Sequence, residues 1–297
     1  MKYKKWLSAN TESLSGKTVA ITGSTGGLGK EICRYVLYLG GNLLLIDRNI
    51  KKSSELEKLL KSEYPAAVID RITADLSDIA SVKNACESIK HFNIDVLILN
   101  AAAYSIERKI CDTGFLNVFQ INFVSHYYLL TELLPLLSAG KGRVVALGSI
   151  AHNYSKSDAC SVDFSDRKRD SLIYGNSKRY LMFSLYELFK NRKDVSLSVV
   201  HPGITFTNIT SHYPKALFFI IKYPMKLIFM KPKRAALSVI KGIFTKTEYH
   251  SWIGPRFFNI WGFPSKKKLN TCTVKESETI FRTTQEIFDK KFNINVF

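Results

Sequence analysis

KTVAITGSTGGLG, Lys17 to Gly29, runs from a short β-branched segment straight into a glycine cluster. Val19, Ile21 and Thr22 favour extended backbone, because side chains branched at Cβ pack well on a pleated surface. From Leu28 onward, Ile32, Val36 and Leu39 recur at helical spacing. A strand that turns through glycines into a helix can hold a pyrophosphate. The glycines let the backbone come close, and the helix start offers unpaired N–H groups and positive dipole. The spacing reads two ways. Gly23, Gly27 and Gly29 fit one nucleotide-binding pattern; Gly23, Gly26 and Gly29 fit another, suited to a nucleotide-sugar epimerase.

Outward from this unit the chain alternates. NLLLID (42–47), AVIDRIT (67–73), IDVLILN (94–100), GRVVALGS (142–149) and VSLSVVHPG (195–203) read as further strands, six in all. KSSELEKLLKSEY (52–64), ASVKNACESIK (80–90), FQINFVSHYYLLTELLPLL (119–137) and SKRYLMFSLYELFK (177–190) read as helices between them. Near-continuous apolar strands separated by helices predict an α/β fold, a doubly wound parallel sheet covered on both faces. With no internal repeat or low-complexity linker, one domain is expected over residues 15–265. A basic leader (1–14) precedes it. A tail (266–297) follows, where Val274, Ile280, Phe281, Ile287 and Phe288 share one helical face.

The 297 residues are 46% apolar and carry a net charge of +18. Nucleic acid, an anionic membrane, an anionic cofactor or simply a lysine-rich surface would each account for that charge. No basic motif interleaved with aromatics and no zinc-ligand spacing supports a nucleic-acid-binding protein, so none is expected as a partner. Cys33, Cys86, Cys111, Cys160 and Cys272 are odd in number and scattered, which reads as reduced thiols in the cytoplasm and no metal. The leader MKYKKWLSAN lacks the apolar core of a secretory signal. The longest apolar run, residues 216–230, is interrupted by Lys222, Pro224 and Lys226 and is too short to span a bilayer.

The candidate chemistry lies at strand ends, where ligands of such sheets bind. Asp47 ends the second strand and can accept from an adenosine ribose; Arg48 follows and can hold a 2′-phosphate instead. Asp75, after the third strand, can meet the adenine amino group or serve as a turn residue. Tyr174 and Lys178 are four residues apart, hence on one helical face. A lysine there stabilises phenolate and draws the tyrosine pKa down toward neutrality. Ser149, ending the fifth strand, can hydrogen-bond a substrate carbonyl or cap a turn. Asn122 is locally unfavourable within its helix. It reads either as the holder of a water that supplies protons to Lys178 or as a satisfied buried amide.

Taken together, TGSTGGLG, ADL, LNAA, Asn122, Ser149, the Tyr174–Lys178 pair and HPG (201–203) resemble the short-chain dehydrogenase/reductase family over residues 15–255. GSIAH, YGNSK and HPGITFT are similar to its classical, retinol-dehydrogenase-like branch. The resemblance implies a Rossmann-type fold and a nicotinamide cofactor. It implies an alcohol–carbonyl interconversion with Ser149, Tyr174 and Lys178 as the catalytic trio and Asn122 in support. It also implies cofactor contacts from Gly23, Ser24, Thr25, Gly27, Leu28, Gly29, Asp47, Arg48, Asp75, Leu76, Asn100, Ala101, Ala102, Tyr174, Lys178, Pro202, Gly203 and Thr205. Two departures stand out. Ala102 takes a glycine position of the family. Asp47-Arg48-Asn49 replaces the Cys-Arg-Asn of NADP-preferring relatives, which favours NAD over NADP. Residues 204–231, apolar with interleaved lysines, are expected to form a lid over a lipophilic substrate, with peripheral membrane contact through it; a homodimer is the expected assembly.

Overall fold

A computed structural model describes residues 2–158, 160–204 and 230–294. The expected lid, apart from its end residues Ile204, Met230 and Lys231, and the expected cofactor contact Thr205 lie outside the described residues. The six expected strands are present as β1 (Thr18–Thr22), β2 (Asn42–Asp47), β3 (Ile69–Thr73), β4 (Val96–Leu99), β5 (Arg143–Leu147) and β6 (Ser196–Val200). Two more follow, β7 (Ser251–Phe257) and β8 (Trp261–Lys268). The sheet order is β3-β2-β1-β4-β5-β6-β7-β8, with every pair parallel except the last. This is the Rossmann-type, doubly wound sheet.

The helices are α1 (Lys2–Asn10), α2 (Gly27–Tyr38), α3 (Ile50–Glu63), α4 (Ile79–Ile89), the short α5 (Asn117–Phe119), α6 (Ser125–Ala139), α7 (Asp170–Leu188), α8 (Pro232–Phe244) and α9 (Val274–Phe292). Successive strand residues point to opposite faces, so apolar runs are needed on both. Val19 and Ile21 join Ile32, Val36, Leu237 and Ile240 on one face, while Ala20 joins Leu130, Leu133 and Leu181 on the other. The same alternation splits Val96 and Ile98 from Leu97 and Leu99.

The strand order reverses between β1 and β4, which opens a crevice beyond their carboxyl ends. β8 runs across residue 265, and α9 buries Ile280 and Phe288 in the core beneath α6 and α7. Phe288 lies 4.8 Å from the Tyr127 ring, centroid to centroid. No helix among the described residues is long and apolar enough to cross a membrane, and no cluster of metal-ligating side chains occurs among them.

Candidate active site

The glycine turn forms the floor of the crevice. Gly23 adopts φ +68°, and a Cβ there would lie 2.9 Å from the Ala101 methyl. Gly29 packs its helix onto the turn so closely that a Cβ would lie 2.7 Å from the Ser24 carbonyl oxygen. Gly26, by contrast, would meet only the Gly23 carbonyl at 3.6 Å, so the geometry demands Gly23 and Gly29. Gly26 caps α2 without a side-chain hydrogen bond, which leaves the first-turn N–H groups, including those near Gly27 and Leu28, for an anion. Residues and cradle thus fit a dinucleotide phosphate.

Beside the turn, Asp47 is buried. Its carboxylate accepts from the Ser24 hydroxyl (2.5 Å), the Ser53 hydroxyl (2.9 Å) and the Thr25 N–H (3.3 Å). Asp47 was expected to face a ribose; in the structure it first braces the glycine turn, because three donors surround it. Arg48 is exposed just beyond. Asp75 accepts from the Ser77 N–H and hydroxyl in an Asx-type turn, and the Leu76 carbonyl accepts from Ser125. Asn100 donates its amide to the Thr22 and Gly23 carbonyls, both at 2.9 Å. Ala102 is exposed and not at positive φ, so the extra methyl costs the backbone nothing. Pro202 and Gly203 follow β6 at the same rim, Gly203 at φ +85°.

The catalytic candidates converge above this floor. Ser149 caps the turn Ile150–Asn153, its Oγ accepting from the Ala151 N–H at 3.2 Å. The Tyr174 phenol comes close enough to the same Ser149 side chain for it to draw the phenol's pKa down. Lys178 lies one turn along α7, its Nζ 6.0 Å from the Tyr174 ring centre. That Nζ is buried and donates to the Leu147 carbonyl at 2.9 Å. The direction expected for the tyrosine is corrected here. Burial pushes the Tyr174 phenol up to about 12, and the nearby Ser149 side chain offsets only part of the rise. Burial also brings the Lys178 ammonium down to about 8. The lysine directs its proton to a backbone carbonyl, so desolvation governs the phenol.

Asn122 sits in a π-helical turn, Gln120–Val124, between α5 and α6. Such widened turns often mark functional sites. Its amide accepts from Ala103 N–H (2.8 Å) and donates to Ala103 C=O (2.9 Å) and Ser177 Oγ (3.0 Å). These bonds tie the 101–103 loop to α7. The Asn122 carbonyl lies 3.4 Å from Nδ1 of His126.

Several residues here were not singled out from sequence. Thr22 Oγ1 accepts the N–H groups of Asn100 (2.9 Å) and Ala101 (3.0 Å), and it lies 3.0 Å from His126 Nε2 and 3.4 Å from the Ile98 carbonyl. His126 Nδ1 faces the Asn122 carbonyl, and burial with the nearby Lys178 charge holds the ring neutral, near 3. His152 joins the Ser149 carbonyl through Nδ1 (2.5 Å) to Thr271 Oγ1 through Nε2 (2.7 Å). Arg179, also buried, donates to the His152 and Thr271 carbonyls and pairs with Glu276 at 2.6 Å. Tyr104 lies edge-on to Tyr174, 5.2 Å between ring centres. His126 follows Asn122 at the same i, i+4 spacing as the Tyr–Lys pair, a signal that was available in the sequence.

Residues 17–216 match the family model for short chain dehydrogenase. The chain belongs to the short-chain dehydrogenase family. As a member it is an NAD(P)-dependent oxidoreductase. Over 219 residues it is 29% identical to Short-chain dehydrogenase TIC 32 A, chloroplastic, of Brassica napus, covering 68% of each chain. Retinol dehydrogenase 13 of Mus musculus is 28% identical over 209 residues, 67% of this chain and 62% of its own. An uncharacterized protein from Mycobacterium paratuberculosis, 21% identical, superposes with a TM-score of 0.77 over 97% of this chain and 98% of that one. A short-chain dehydrogenase from Sphingobium yanoikuyae, solved in complex with NADPH, gives 0.59 at 20% identity, over 76% and 83% of the two chains. These structures share the short-chain dehydrogenase fold.

Proposed function

We propose that this dehydrogenase interconverts an alcohol and a ketone or aldehyde on a lipophilic, retinoid-, steroid- or lipid-like substrate. The observation that carries the chemistry is the convergence of Tyr174 on the Ser149 turn at the crevice, with buried Lys178 one turn behind. A bound nicotinamide supplies or takes up the hydride. Ser149 holds the substrate oxygen beside the phenol, and Tyr174 gives its proton to that oxygen or takes it away. With its pKa high, Tyr174 rests protonated at neutral pH, the state that carbonyl reduction needs. Lys178 places positive charge behind the ring, and Asn122 holds the loop that borders the site. Tyr104, edge-on to Tyr174, and Tyr154, half exposed in the turn after Ser149, supply apolar walls suited to a lipophilic substrate.

For the adenosine end, Asp47 and Arg48 pull in opposite directions. The buried Asp47 carboxylate beside the turn repels a 2′-phosphate, and charges ~4 Å apart near a protein surface interact by about 4 kcal/mol. This supports NAD over NADP. A cytoplasmic location fits five free thiols.

The test is a screen of small and lipophilic ketones, aldehydes and alcohols with both cofactors, followed at the reduced-nicotinamide absorbance. Turnover of small hydrophilic substrates alone would exclude the lipophilic reading. A lower KM for NADP would make Arg48 the selector. Because Asp47 also braces the turn, an Asp47→Ala titration is read beside its melting temperature.

A further inference from the structure

The β7–β8 turn presents aromatic residues in an unusual way. Ile260 N–H bonds to the Phe257 carbonyl at 2.9 Å, and the two central residues, Phe258 and Asn259, both adopt positive φ, 51° and 59°. That is the geometry of a type I′ hairpin turn, whose central positions favour Asn and Gly. A phenylalanine is poorly suited to it. Phe258 is 84% exposed, so packing does not compensate, and Phe257 and Trp261 beside it are 57% and 41% exposed. Three large aromatics thus cluster at one exposed tip.

Cations lie at and near this tip. The Arg256 guanidinium lies 5.8 Å from the Phe257 ring centre. Lys231 and Lys233, both exposed, begin α8. That end of the helix packs on β8, where the Arg234 guanidinium lies 5.4 Å from the ring centre of Phe263, two residues past Trp261. A Cβ on Gly203, just beyond the carboxyl end of β6, would lie 3.3 Å from the Ile260 carbonyl, which sets this turn beside the crevice rim.

We propose that the β7–β8 tip docks the enzyme on an anionic membrane. Phe257, Phe258 and Trp261 enter the headgroup boundary, and Arg256, Lys231 and Lys233 meet the lipid phosphates. Aromatic rings with flanking cations are what this boundary accommodates, and the net charge of +18 has the complementary sign. Docking turns the crevice rim toward the bilayer. The inference goes beyond the substrate reading and does not depend on it.

The test is co-sedimentation of the full chain with vesicles of phosphatidylcholine, with and without abundant phosphatidylserine. Preferential binding to the anionic vesicles, weakened by salt, is expected. Phe258→Gly should lower that affinity about tenfold while keeping or raising the melting temperature, since glycine relaxes at positive φ. Reversing Lys231, Lys233 and Arg256 to Glu should lower it about a hundredfold or more, each lost cation counting roughly fivefold. Three outcomes would overturn the proposal. One is equal binding to neutral and anionic vesicles. Another is unchanged binding by Phe258→Gly. The third is a lower melting temperature or a lost dimer in that variant, which would mean that protein, not lipid, covers the ring.

Discussion

Replacing Gly175 by alanine tests whether the fit between α7 and the Ser149 turn sets the catalytic geometry. Gly175 follows Tyr174 directly and packs on the turn Ile150–Asn153. A Cβ there would fall within 3.0 Å of the Ala151 carbonyl oxygen and 3.1 Å from its carbon. That carbonyl cannot swing aside cheaply. It accepts the Tyr154 N–H at 3.0 Å, and the Ala151 N–H is held by Ser149 Oγ. In an exposed helix interior, Gly→Ala gains about 1 kcal/mol. Here overpacking costs about 1–3 kcal/mol and wins, so the melting temperature should fall by a few degrees. Relief requires α7 and the turn to part by about 1 Å, which separates Tyr174 from Ser149 and should lower kcat about a hundredfold. Gly140→Ala is the control, because its Cβ would meet nothing nearer than 3.9 Å. The assay is steady-state turnover of the best substrate, with a thermal melt. A Gly175→Ala enzyme that melts higher and keeps kcat within about threefold of wild type would refute the reasoning.

Other outcomes follow from the same site. Tyr174→Phe should lose about 10²–10⁴ in kcat yet bind cofactor normally by fluorescence titration, since it removes the proposed proton donor and little volume. Lys178 has its pKa lowered from 10.5 to about 8, so between those values the unfolded chain holds a proton the folded one has released, and stability rises with pH. The urea-derived stability difference between wild type and Lys178→Met should therefore shift by about 3 kcal/mol in favour of wild type from pH 8 to 10.5. His152 titrates near 4 when folded and 6.5 when unfolded, so its contribution is lost as pH falls from 6.5 toward 4. Denaturant titrations should find His152→Gln less steeply acid-sensitive over that range.

Most of the parallel sheet was legible because a strand covered on both faces must be apolar throughout, as in NLLLID and IDVLILN. β7 and β8 were missed for the opposite reason. Pro255 and Gly254 interrupt the strand pattern of one, and Lys266, Lys267 and Lys268 make the other look like a solvated run. As the antiparallel edge, β8 needs only one partner and tolerates charge. At the site, spacing alone suggested Tyr174 with Lys178, because a helix fixes which residues share a face. It could not give the tyrosine pKa, which depends on how deeply tertiary packing buries the phenol. Nor could it give the partners of Asn122, since Ala103 and Ser177 arrive from elements far apart in sequence.

The same limit explains why the C-terminal segment looked separate from the chemistry. Its helical stripe of Ile280, Phe281, Ile287 and Phe288 predicts a packed face, but not what lies opposite. The structure sets that face on α7, the helix that carries Tyr174 and Lys178. Thr271 and Glu276, just before and within the first turn of α9, then reach Arg179 and His152. Arg179 is buried, so its charge needs a partner, and breaking such a pair costs about 3–5 kcal/mol. His152 continues the line to the Ser149 carbonyl. The segment after β8 therefore fixes both the helix that bears the acid and the turn that bears the serine.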